Sequence, residues 1–145
     1  MQVEAWEIDE YGPSVPDRYI RLAKEVALIA ASIPKSDGDP WDDRYVNAQL
    51  ELALERAGYN LDVVSGSMLE SPPGEVRFPR LITADCEVTL AVVTADAGLY
   101  QSLNSLMALG HMFTQFAYAF LVAFSHTSPG RGRIAVHRFL EQPSN

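Results

Sequence analysis

Between Asp96 and Arg131 the chain contains no Asp, Glu, Lys or Arg, although charged residues make up 21% of the sequence. An uncharged run of that length belongs inside protein or inside lipid, because water-facing helices and strands ordinarily carry charge. The centre of the fold is therefore expected within it. Residues 97–125 are long enough to span a bilayer, and Arg131 and Arg133 behind them suit a cytoplasmic flank. Against a membrane span, Gln101, Ser102, Asn104, Ser105, His111 and Gln115 interrupt the first two thirds, and the strongly apolar part, 116–124, is too short to cross as a helix.

Periodicity gives the better account. Leu99, Leu103, Leu106, Gly110 and Phe113 form one stripe of a helix over 99–114. The other side of that helix carries Gln101, Asn104, Ser105, His111 and Gln115, which are polar but uncharged. Such a face suits contact with a partner or with another part of the chain better than contact with water, and these five residues are the expected partner-binding set. Residues 116–125 then read as a strand. Phe116, Tyr118, Phe120, Val122 and Phe124 point one way, and Ala117, Ala119, Leu121, Ala123 and Ser125 the other. With both faces apolar, this strand is expected to be central and covered on both sides.

The remaining elements follow from punctuation. Residues 1–13 form an acidic lead-in with a short strand over 3–8. Ser14-Val15-Pro16-Asp17 starts a helix over 16–33, with Ser14 as cap and Pro34 as stop. Asp39-Pro40-Trp41-Asp42 starts a second helix that runs through Arg56 to Gly58. Its buried stripe is expected to be Trp41, Tyr45, Ala48 and Leu52, with Asp43, Asn47, Glu51 and Glu55 elsewhere on it and the acids in solvent. A strand over 61–65 precedes a loop at 66–74. A strand over 75–82 is expected at an edge or bulge because of Pro79. Residues 86–94 make a more central strand, joined to it as an antiparallel hairpin by Thr83-Ala84-Asp85. A last strand covers 134–140 and a polar tail 141–145. The expected architecture is a single α+β domain over 1–145. Its mixed or mostly antiparallel sheet has about five strands with helices packed on it, in the order α-α-β-β-β-α-β-β.

Composition narrows function. The net charge of −8 and pI of about 4.7 repel a phosphate backbone, although Arg77 with Arg80 and Arg131 with Arg133 could make local basic patches. Lysine chemistry is limited to Lys24 and Lys35. Cys86 is the only cysteine, so no intrachain disulfide forms, and its apolar setting predicts an inert buried thiol. A reducing, cytoplasmic setting is compatible with this, and residues 1–10 lack the pattern of a signal peptide.

Several constellations invite chemistry. Asp62, Glu87 and Thr89, with Glu51 or Glu55 on the preceding helix, fall on a helix, three strands, helix, strand order that resembles the core of the PD-(D/E)xK nuclease family. That resemblance covers about half the chain in element order. It implies two carboxylates, Asp62 and Glu87, holding Mg or Mn, with the acid-x-lysine position filled by Glu87-Val88-Thr89. Threonine stands where the family has its lysine. Asp85 and Glu87 could share a proton or an ion, or simply close a hairpin in solvent. His126 and His137 could meet across the last hairpin, while His111 stands apart, and no ligand spacing matches a zinc site. Ser125 and His126, as strand neighbours, point to opposite faces and make a poor dyad. Gly130-Arg131-Gly132 lacks the lysine and helix of a phosphate loop and reads as a turn.

Together these features predict a small acidic binding or assembly protein of adaptor, immunity-type or chaperone-like character, and not an enzyme. The resemblance to secretion chaperones lies in size, acidity and helix–sheet–helix order, without their final helix. A protein partner or self-association as a homodimer is expected, with no cofactor. The alternative is a nuclease-like protein that is metal-dependent or catalytically degenerate.

Overall fold

The computed structural model describes residues 2–3, 5–11, 14–35, 38, 41–64, 78–94, 117–125 and 130–138. Within them run β1 (Gln2–Val3), β2 (Trp6–Tyr11), α1 (Asp17–Ala31), α2 (Asp43–Arg56), β3 (Asn60–Val64), β4 (Phe78–Ile82), β5 (Glu87–Thr94), β6 (Tyr118–Phe124) and β7 (Gly132–Arg138). The strands form one mixed sheet in the order β1-β2-β7-β6-β5-β4-β3. β2 pairs with β7 and β5 with β6 in parallel, and every other pair is antiparallel. The α+β class stands, but the sheet is larger than expected and the order opens with strands. The acidic lead-in is a structural strand, because Trp6 and Ile8 alternate into the core while Glu7 and Glu10 stay in water. The predicted 99–114 helix lies outside the described residues.

β6 occupies the middle of the sheet, and its two faces differ as the side-chain sizes foretold. Phe120, Val122 and Phe124 join Trp6, Ile8, Val88, Leu90, Val92, Ile134 and Val136 on the face that carries the helices. Ala119, Leu121 and Ala123 join Ala91 and Ala135 on the other, and that face is buried too. α1 packs over β7 and β2, α2 over β5 and β3, and the helices touch each other.

Helix boundaries depart from the sequence signals for local reasons. Pro16 occupies the cap position of α1 with no side-chain cap, and Ser14 instead offers its carbonyl oxygen to Arg138. α2 is capped by Asp42, whose Oδ1 accepts the Tyr45 N–H at 2.9 Å, and not by Asp39. Trp41 is drawn away from the helix, donating its indole N–H to the Ser125 carbonyl at 2.7 Å and meeting Phe124 edge-on. Gly58, at φ +95°, ends α2 as expected. The buried stripe of α2 is Val46, Leu50 and Leu54, whereas Ala48 and Leu52 face solvent. Glu55 is exposed, as expected of the acids, whereas Glu51 is half-buried and Asn47 Oδ1 is buried with no donor among the described residues.

Pro79 lies one strand in from the edge, and the ladder adjusts to it. The Thr83 N–H donates to the Cys86 carbonyl, so in this hairpin Leu81 and Pro79 turn their backbone polar groups toward β5. Pro79 has no N–H to give, and the β4–β5 pairing stops at Arg80. At the far end of the sheet, Trp6 meets Phe124 edge-on at 4.9 Å and lies over Gly132. A Cβ on Gly132 would sit 2.5 Å from both the Ala123 oxygen and the Trp6 ring.

Gly132→Ala should therefore lower the thermal midpoint by roughly 3–10 °C, as overpacking does. Gly38→Ala, where an added Cβ meets nothing within 4 Å, is the control expected to shift it little. Equal melting of the two variants would refute the role given to Trp6.

Candidate functional site

Register brings the predicted acids together on the small-residue face. Tyr11, His137, Ala119, Thr89, Arg80 and Asp62 are successive cross-strand partners, forming one row over six strands from β2 to β3. Glu87 stands two residues before Thr89 on β5 and so on the same face. Asp62, Glu87 and Thr89 thus share one face of the sheet.

What separates them is Arg80. It lies between Asp62 and Thr89 in register, and its guanidinium is ion-paired with Glu87. Its Nε is buried with no acceptor among the described residues. Asp62 is exposed and Thr89 is buried. Adjacent strands lie about 4.8 Å apart, so Asp62 and Thr89 are separated by about 10 Å of backbone. A divalent ion bridging Asp62 and Glu87 has to displace the arginine that now neutralises Glu87. Among the described residues no group of three His, Cys, Asp or Glu side chains is placed to hold a metal.

The other half of the row is aromatic. His137 is buried and stacks on the half-exposed Tyr11 ring, centroids 5.0 Å apart and planes at 14°. Burial holds its imidazole below the ordinary histidine range. Its expected neighbour His126, like His111, lies outside the described residues. So do the partner-binding residues Gln101, Asn104, Ser105, His111 and Gln115, and Arg77.

Asp85 and Glu87 do not act as a pair. Asp85 sits in the hairpin turn, where its Oδ1 accepts the Thr83 hydroxyl at 3.2 Å, and Glu87 turns to Arg80. Cys86, between them, is buried, and burial together with the Asp85 charge pushes its thiol up, away from thiolate chemistry. Arg133 is ion-paired with Glu7 and lies 3.8 Å from Asp9, and its hydrogen bond and charge hold Glu7 below the usual carboxylate range. Gly130, at φ +85°, makes the turn expected of Gly130-Arg131-Gly132.

Sequence reasoning gave Arg80 only as part of a basic patch, although its position was legible. A hairpin closed between Thr83 and Cys86 fixes every later pair, and that count sets Arg80 opposite Thr89. Tyr11 and His137 could not be joined this way, because β2 and β7 are distant in sequence.

Comparison with protein-family models, with curated proteins and with solved structures yields no match. No helix among the described residues is long and apolar enough to cross a membrane.

The His137 environment sets a pH dependence. Above about pH 6.5 the imidazole is neutral in both folded and unfolded chains; below it the unfolded chain takes up a proton that buried His137 resists. Stability should therefore fall as pH drops from 7 toward 5.5, and more steeply in the wild type than in His137→Gln. Equal slopes in urea titrations would refute it.

Proposed function

We propose that the protein is an acidic binding and assembly protein that acts through protein–protein contacts and pairs with a second copy of itself. The observation that supports this reading is on the outer surface of the helices. α1 and α2 run antiparallel, tied at one end by the Tyr45 hydroxyl donating to the Pro34 carbonyl and at the other by the Tyr59 hydroxyl donating to Glu25. Leu28 and Leu52 lie between these ties, on neighbouring helices, and are 49% and 44% exposed.

Covering the rest of each leucine contributes about 1 kcal/mol, so four leucines across a two-fold contact supply about 4 kcal/mol. Association costs about as much or more. The contact needs further area, and the uncharged residues Gln101, Asn104, Ser105, His111 and Gln115 are its proposed source. With −8 on each copy, two chains repel at a distance. An apolar and neutral contact is the kind that two such copies can share.

The test is mass in solution. Sedimentation should show a dimer that tightens as salt screens the repulsion, and Leu28→Glu or Leu52→Glu should return it to monomer. A wild-type chain that stays monomeric at high concentration in high salt overturns the reading. A basic protein partner would show the opposite dependence, weakening with salt.

The row holding Asp62, Arg80, Thr89 and Glu87 favours one second reading, a nuclease-like protein in which Mg or Mn takes the place of Arg80 between the acids. Either ion should then raise the melting temperature, and Asp62→Ala or Glu87→Ala should abolish the effect. Melting that ignores both ions removes this alternative.

A further inference from the structure

We draw no further inference here: the strongest candidate, the alanine-lined face of the sheet opposite the helices, with Ala91, Ala119, Leu121, Ala123 and Ala135, is buried, and nothing among the described residues shows what covers it.

Discussion

The enclosure of β6 on both faces is the constraint from which the remainder of the structure follows. A strand whose Phe120, Val122 and Phe124 face one way and Ala119, Leu121 and Ala123 the other cannot show either face to water. It must lie in the middle of a sheet, and it does, three strands from either edge. The aromatic side sets a thick layer that takes two helices, Trp6 and Trp41. The alanine side, with Ala91, Ala119, Leu121, Ala123 and Ala135, is buried as a second, smaller cluster. Even the glycine at the start of β7 belongs to this logic, since Trp6 must lie over it to reach Phe124.

Arginines around that core are held in two ways. Arg80 and Arg133 are compensated by acids on neighbouring strands of the same sheet. Arg18 and Arg138 are anchored by backbone carbonyls and tyrosine rings instead. The first kind of arginine stabilises a sheet surface modestly, as exposed ion pairs do.

The candidate site is half legible in the sequence. Spacing and element order point to Asp62, Glu87 and Thr89, and strand register sets them on one face. The element order that prompted the resemblance also concealed the residue between them. β4 puts Arg80 in the row, so a cation already stands where the analogy asks for a metal. The error on α2 has a similar origin. Trp41, Tyr45, Ala48 and Leu52 are helically spaced, but helical spacing is shared by several stripes. Only the position of the sheet selects Val46, Leu50 and Leu54 for burial.

By itself the sequence determined what depends on neighbours along the chain. It set the alternation of side-chain size in β6, the hairpin at Thr83–Cys86, the stop at Gly58 and the turn at Gly130. Each is a local steric or hydrogen-bonding preference that a few residues satisfy on their own. Tertiary structure decided what depends on residues far apart in sequence. It paired β2 in parallel with β7, stacked Tyr11 on His137 and Tyr19 on Tyr118, set Trp6 over Gly132 and placed Arg80 among the acids. Those juxtapositions are chosen by the burial of the whole apolar surface at once, and no window along the chain contains that sum.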